Sequence, residues 1–388
     1  MTKIDPHKNK EKYLKWKERA ISSIADLSDY NQQLFMRYMN DMESGLNVST
    51  FHKKGSRSFI RLNTIRIRIH FLMKEINEKF KLDKFTDLKE EHIHQYFLKM
   101  RNGEIRKKDG LIFKSVKDYV QDFKAFWHWW QKVNRKQGIE VLDITTDLDT
   151  SSEKPKWVYL TEEEVKKLAD NAKYDYKVLI WFLFDTGIRS PTEACNIKVS
   201  DFYNDFKELN IRQEISKTFG RKIKLMLCSS LIREYVTKMN LSREDYLFKI
   251  CPPVTNRYLK RLSKNLFGEK ETLAGGKCSE LTLYDIRHCS SCYWLPRYKS
   301  ESALKYRFGW YKSDKIHYYS ELLGMRDTIK EEDILVDETM AEIEKRLERS
   351  EKDNLILQDK LEAFEKLMPM MLQRLEKVEL LKKEIEMT

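Results

Sequence analysis

The stretch Leu281–Leu322, LTLYDIRHCSSCYWLPRYKSESALKYRFGWYKSDKIHYYSEL, decides how the chain is read. It sets an arginine beside a histidine (Arg287, His288), a Gly-Trp pair (Gly309, Trp310) and a tyrosine doublet (Tyr318, Tyr319). Cations suit a phosphate, neutral donors suit its nonbridging oxygens, and a hydroxyl supplies a nucleophile, which together fit phosphoryl transfer through a protein group. Alone, the stretch is half an argument, because arginines and tyrosines also serve as ion-pair partners and core residues.

The surrounding chain of 388 residues is long enough for two folded domains and an extension. With 41% hydrophobic and 35% charged residues and only 12 glycines, many solvated helices and a mostly α fold are expected. Lys and Arg number 73 against 61 Asp and Glu, a formal charge of +12 that favours a polyanionic partner. Basic and aromatic residues interleave as far as residue 135, which points to nucleic acid. No run reaches the roughly 18 apolar residues of a membrane helix, and the start, MTKIDPHKNKEKYLKWKER, lacks the apolar core of a signal peptide. A cytoplasmic protein without a membrane partner is expected. All six cysteines lie between Cys195 and Cys292 and are expected as reduced thiols. Cys289 and Cys292 form one C-x-x-C without the second pair a structural zinc needs, and read as small residues on the buried side of a helix.

Upstream, residues 8 to 46 read as two basic helices, with Tyr13, Trp16, Ala20, Ile24 and Leu27, then Leu34, Met36, Tyr38, Met39 and Met42, at helical spacing. They form either an arm for DNA or a partner, or a pair packed on the next domain. In KKGSRSFIRLNTIRIRIH, from Lys53 to His70, cations precede and line a helix whose apolar stripe is Ile65, Ile69, Leu72, Met73 and Ile76. Lys53, Lys54, Arg57, Arg61, Arg66 and Arg68 are candidate phosphate contacts, since the charge exceeds what solvation needs. A helix after Phe85-Thr86-Asp87-Leu88 turns Ile93, Tyr96, Phe97 and Met100 inward, and the next carries a core stripe of Tyr119, Phe123, Phe126, Trp127 and Trp130. The expected division is a helical arm over 1–49, a helical DNA core-binding domain over 50–142 and an aperiodic linker over 143–156, DITTDLDTSSEKPK.

The next domain, 157–326, opens on a capping box, Thr161 with Glu164. The apolar run Val178 to Phe184 leads into DTGIRSPTEACNIKVSDF. Glu208 to Ile215 and Arg221 to Leu227 read as hairpin strands around SKTFG, and Ser229 to Lys238 and Val254 to Phe267 as helices. Residues 327–388 turn to Glu, Lys and Leu. There Met340, Ile343, Leu347, Ser350, Asn354, Leu357, Leu361, Phe364, Met368, Met371, Leu375 and Val378 follow the a/d seam of a coiled coil. Asn354 would fix its register and Pro369 would break or kink it, so the tail either joins subunits or folds back on the body.

Arg189 in TGIR, Lys217 in SKT, Arg287 in D-I-R-H and Tyr319 after F-G-W resemble, in order and spacing, the motifs of the tyrosine recombinase (phage integrase) family over roughly residues 50 to 325. The resemblance implies a mostly α protein with an α+β catalytic domain holding a small β-sheet. It implies a site-specific DNA recombinase, an integrase that joins strands through a 3′-phosphotyrosine. Arg189 and Arg287 would fork onto the scissile phosphodiester, Trp310 would donate its indole N–H to it, and Lys217 would protonate the departing 5′ oxygen. Tyr319 would attack phosphorus. Double-stranded DNA and a homotetramer are the implied partners, with no metal or cofactor. His288 is read as a buried hydrogen-bond buttress.

Three departures stand out. Tyr284 occupies the place where the family usually has His. Glu193 stands four rather than three residues after Arg189, because Ser190-Pro191-Thr192 adds a position. Tyr318 competes with Tyr319 as nucleophile. F-G-W followed by S-D-K-I, together with Tyr284, looks more similar to integrases of archaeal viruses and plasmids. A type IB topoisomerase-like relaxing enzyme and a noncatalytic DNA-binding architectural protein remain alternatives.

Overall fold

The structure, a computed structural model, describes residues 3–48, 55–107, 109–151, 155–298 and 300–324 and scattered positions between 347 and 369. Apolar residues at three- and four-residue spacing build the amino-terminal helices: α1 (Asn9–Ser22), α2 (Asp29–Ser44), α3 (Phe59–Phe80), α4 (Glu90–Arg101) and α5 (Val116–Arg135). Ser28 and Ser58 start α2 and α3 by accepting the amides of Asn31 and Arg61, each satisfying one of the donors a helix start leaves free. Tyr13, Phe35, Tyr38, Leu62, Ile69, Phe85, Phe123, Phe126 and Trp127 then share one core, so α1 and α2 are packed with α3 to α5. Burying each such side chain is worth roughly 1.5–3 kcal/mol. α2 differs from expectation in charge, since Asp29, Asp41 and Glu43 outnumber Arg37 and make it acidic.

After residue 157 come α6 (Glu162–Asp170), α7 (Tyr174–Thr186), strands β1 (Phe202–Tyr203), β2 (Glu208–Ile211) and β3 (Arg221–Lys224), then α8 (Ser229–Lys238), α9 (Pro252–Phe267), α10 (Leu283–Trp294), α11 (Glu301–Phe308) and α12 (Asp314–Leu322). The α6 capping box closes in both directions. The strands form an antiparallel sheet in the order β1-β2-β3, giving a mostly α fold with a small sheet. Both hairpin strands are shorter than their apolar pattern suggests. The ladder stops at Ile211 opposite Arg221, where the Arg212 carbonyl accepts the amides of Ile215 and Ser216 instead and its side chain turns to Asp201, 2.8 Å away, and to Glu214. Residues 212–220 become a loop rather than a tight turn, with Lys217 on it.

One buried carboxylate ties this half together. Asp185, at the end of α7, accepts the amides of Met226, Leu227 and Cys228 through one oxygen (2.7–3.1 Å) and pairs with Arg307 through the other at 2.8 Å. The end of α7, the exit of β3 and α11 are thereby fixed to each other.

Residues 320–388 form a separate unit. Within it Leu347, Ser350, Asn354, Leu357, Leu361 and Met368 are helical, and Leu347, Leu357 and Leu361 are exposed. Pro369 is itself helical. Met340, Ile343, Phe364, Met371, Leu375 and Val378 lie outside the described residues, as do Lys53 and Lys54. Among the described residues no helix is long and apolar enough to cross a membrane.

Candidate active site

Two helix ends and one helix start bring the site together. α7 closes at Gly187, whose φ of +58° is cheap only for glycine and whose missing Cβ would stand 2.2 Å from the Phe308 ring. Arg189 follows two residues later. α11 closes in the same left-handed way at Gly309, φ +62°, which turns Trp310 back over Phe308 with ring centroids 4.8 Å apart. α10 opens on a capping box between Thr282 and Asp285. The other Asp285 oxygen accepts the Val158 amide at 3.2 Å, fixing the start of α10 to the segment before α6.

These ends carry the two arginines to one place. Arg189 donates to the Gly309 carbonyl (2.8 Å), to Thr218 Oγ1 (3.3 Å) and to Glu193 (2.8 Å). Arg287, 5% exposed, donates to the Gly187 carbonyl and, at 2.7 Å, to the Phe308 carbonyl. Burial, then the like charge of Arg189, pulls the Arg287 pKa down, so the pair gains from an anion placed between them. Glu193 is the counterweight, bonded to Arg189 through side chain and amide (2.8 and 2.9 Å) and to Arg221 at 2.9 Å. Its burial works to raise the carboxyl, but Arg221 and then Arg189 outweigh that and hold it at about 2.

Helical spacing sets Tyr284, His288 and Ser291 on the side of α10 that meets α12. Tyr319, 3% exposed, stacks on Trp310 (5.8 Å, 20°), and its hydroxyl lies within hydrogen-bond reach of His288 Nδ1. Burial, then Arg287 and Lys315, depresses His288 to about 3, so the imidazole is neutral, with one ring nitrogen able to accept a proton. Burial pushes the Tyr319 hydroxyl up, opposed by Arg287 and Ser291. Tyr318 faces another way. Its hydroxyl accepts the Trp157 indole N–H at 2.6 Å and donates to the Pro155 carbonyl at 3.3 Å. Tyr284 is 51% exposed and meets His288 edge-on at 4.9 Å.

Arg189, Arg287, Trp310, His288 and Tyr319 therefore converge, with Tyr284 at the rim and Lys217 exposed on the neighbouring loop. The candidate phosphate contacts of α3 are partly engaged within the amino-terminal helices. Arg61 and Arg68 both reach Asp122, which is 1% exposed, Arg68 also reaches Asp118 at 2.8 Å, and Arg66 lies over the Trp16 ring. Arg57 and Arg61, with Lys124 and His128, line a cavity of about 520 Å³ walled by Tyr38 and Trp129. Cys289 is buried against Val158 and Leu160, where its thiol accepts the Leu160 amide. Sequence reading passed over Trp157 and Arg221. Trp157 stacks on His288 at 4.7 Å while holding Tyr318, and its place just after the aperiodic stretch 143–156 was the available signal.

No family model matches the chain, and no curated protein does. Solved structures do. The fold is similar to that of the Tn1549 transposon integrase in complex with transposon right-end DNA, at 13% identity over 82% of this chain and 98% of that one, with a TM-score of 0.53. A lambda integrase dimer bound to a core site gives 14% identity over 81% and 83%, TM-score 0.54. A XerH site-specific recombinase in a post-cleavage complex with a palindromic substrate gives 14% over 84% and 94%, TM-score 0.53. The likeness is one of fold and spans nearly the whole length of those chains.

Proposed function

We propose that the protein is a site-specific DNA recombinase that breaks and rejoins duplex DNA through Tyr319. The observation that carries this reading is the Tyr319 hydroxyl, bonded to a neutral imidazole beside Arg287, with Arg189 tied to the same Phe308-Gly309 carbonyls. Solved structures of similar fold described as integrases and recombinases bound to DNA support it. The two guanidiniums hold the scissile phosphodiester and neutralise the charge that develops on its nonbridging oxygens. Trp310 donates its indole N–H beside them. Tyr319 Oη forms a bond to phosphorus as the bond from phosphorus to the 5′ oxygen breaks. The phenolic proton passes to His288 Nδ1, and Lys217 gives a proton to the departing oxygen. Burial is the larger cause of the His288 depression, and a bound phosphate offsets only the smaller contribution of Arg287. With Tyr284 at the family's usual histidine position, His288 one turn later is the nearer acceptor.

The bond energy stays in the phosphotyrosine, and attack by another 5′ hydroxyl reverses the step. The net charge of +12 and the basic helix α3 support a clamp on duplex DNA by residues 50–142 and 157–326, with Lys53, Lys54, Arg57, Arg61, Arg66 and Arg68 as phosphate contacts. The exposed helical leucines Leu347, Leu357 and Leu361 support a coiled-coil tail that joins subunits in a tetramer on DNA. The F-G-W and Tyr284 features favour a cytoplasmic integrase of an archaeal virus or plasmid.

The test is covalent trapping on a nicked suicide substrate. Wild-type protein forms a protein–DNA adduct and Tyr319→Phe forms none. Persistence of the adduct in Tyr319→Phe sinks the assignment, and its loss only in Tyr318→Phe moves the nucleophile by one residue. Relaxation of supercoils by a monomer without sequence preference favours the topoisomerase-like reading instead.

A further inference from the structure

Lys217 is exposed and makes no hydrogen bond or ion pair among the described residues, so its placement depends on its neighbours in the loop 212–220. Those neighbours are tied down. Thr218 Oγ1 donates to the Gly309 carbonyl at 3.0 Å, and Phe219 lies between the rings of Tyr306 and Tyr311, 6.0 and 5.3 Å away. Tyr311 also donates to the Thr218 carbonyl at 3.2 Å. These contacts fix the loop to the segment carrying Trp310. Arg221, on β3, does something further.

Its side chain is fully buried, and each part of the guanidinium goes to a different segment. Nε donates to the Arg307 carbonyl at 2.8 Å, one terminal nitrogen pairs with Glu193 at 2.9 Å, and the other reaches Ser216 Oγ at 3.4 Å. Ser216 in turn donates to Glu193 at 3.3 Å. One planar fork thus joins the carboxylate beneath Arg189, the residue before Lys217 and the chain entering Phe308-Gly309-Trp310. A lysine ammonium lacks the fixed fork that serves three such acceptors. A Cβ at Gly309 would stand 3.0 Å from both Arg221 Nη1 and Thr218 Oγ1, so the segments meet with no spare room.

We infer that Arg221 is the positioning residue for Lys217, holding the loop at the distance from the arginine-bound phosphate at which the ammonium can protonate the leaving oxygen. Arg189 does not depend on it in the same way, since Gly309, Thr218 and one Glu193 oxygen hold that side chain directly while the other Glu193 oxygen holds its backbone amide. The inference rests on the recombinase reading and deepens it.

The experiment compares two nicked suicide duplexes, identical except that in one a sulfur replaces the bridging 5′ oxygen of the scissile phosphate. A thiolate departs without being protonated, so the sulfur duplex bypasses whatever delivers the proton. Full-length wild type, Lys217→Ala, Arg221→Lys and Ser216→Ala are assayed for adduct formation and for DNA retention in gel shift. Arg221→Lys is expected to slow adduct formation on the oxygen duplex on the order of 10²-fold, as loss of a general acid does. Like Lys217→Ala, it should recover to within a few fold of wild type on the sulfur duplex, with DNA retention unchanged. Ser216→Ala leaves the buried Arg221–Glu193 pair in place and should show a smaller defect that sulfur also repairs, which carries the test if Arg221→Lys does not fold. An equal defect on both duplexes, or full activity of both variants on the oxygen duplex, overturns the inference. A Lys217→Ala defect that sulfur does not repair removes the general-acid role, and the inference with it. Wild-type protein that forms adduct on neither duplex refutes the recombinase reading itself.

Discussion

Replacing Glu193 by Gln removes one charge from between buried Arg221 and partly buried Arg189 while keeping the side-chain shape. The wild-type carboxyl is held at about 2, against an ordinary 4.5, by Arg221 and Arg189 working against its burial. At about 1.4 kcal/mol for each pH unit of displacement, that difference is worth about 3 kcal/mol of folding stability at neutral pH. The same figure follows independently from deleting one partner of a buried ion pair, which costs roughly 3–5 kcal/mol because the remaining charge is left uncompensated. A depressed carboxyl contributes stability that is complete above its unfolded pKa and lost as pH falls toward its folded one. The penalty of Glu193→Gln, about 3 kcal/mol at pH 7, should therefore shrink by about 1 kcal/mol at pH 3.5. Urea unfolding of both proteins at the two pH values, followed by circular dichroism, measures it. A penalty under about 1 kcal/mol at pH 7, or one that does not change between the two pH values, would refute the view that paired guanidiniums stabilise this carboxylate.

Gly187→Ala forces a side chain into a left-handed turn, at roughly 1–2 kcal/mol, and against the Phe308 ring, whose carbonyl holds Arg287; adduct formation should fall far more than DNA retention in gel shift. Asp122→Asn takes the shared buried acceptor from Arg61 and Arg68, and should lower the melting temperature by several degrees, about 1–3 kcal/mol given that Arg61 is partly exposed. Trp157→Phe keeps a ring over His288 but loses the N–H to Tyr318, so α12 should become more open to proteolysis near Ser313, at a cost of about 1 kcal/mol. His288 is refused a proton by burial and by Arg287, so stability should decline as pH falls below 6.5, where the unfolded chain takes the proton up; His288→Gln should flatten that decline in a series of thermal melts from pH 7 to 5.

The helices could be read from sequence because their burial repeats at the helical period. Ile65, Ile69, Leu72, Met73 and Ile76 on α3 are buried where the stripe puts them. The small sheet was harder, because a local turn ended it. The Arg212 carbonyl accepts the Ile215 and Ser216 amides while its side chain pairs with Asp201, and no alternation of apolar residues encodes that competition. The ion pairs of α3 were not legible either, since a run of arginines looks the same whether it faces solvent or, like Arg68, reaches across to buried Asp122 on α5. Arg221 hid among Arg221, Lys222 and Lys224 on a strand that reads as uniformly basic. The period of two was the usable signal, as it puts Arg221 and Ile223 inside and both lysines outside.

The tyrosine doublet shows how helix geometry decides what motif spacing leaves open. Adjacent residues on α12 point about 100° apart, so Tyr318 and Tyr319 cannot both face the arginines. Trp157 binds the Tyr318 hydroxyl and stacks its own ring on His288, the hydrogen-bond partner of Tyr319. The same helical logic applies to Tyr284. It sits one turn before His288 on α10, so the two side chains share one side of the helix, and the imidazole rather than the exposed phenol is the group that meets the Tyr319 hydroxyl.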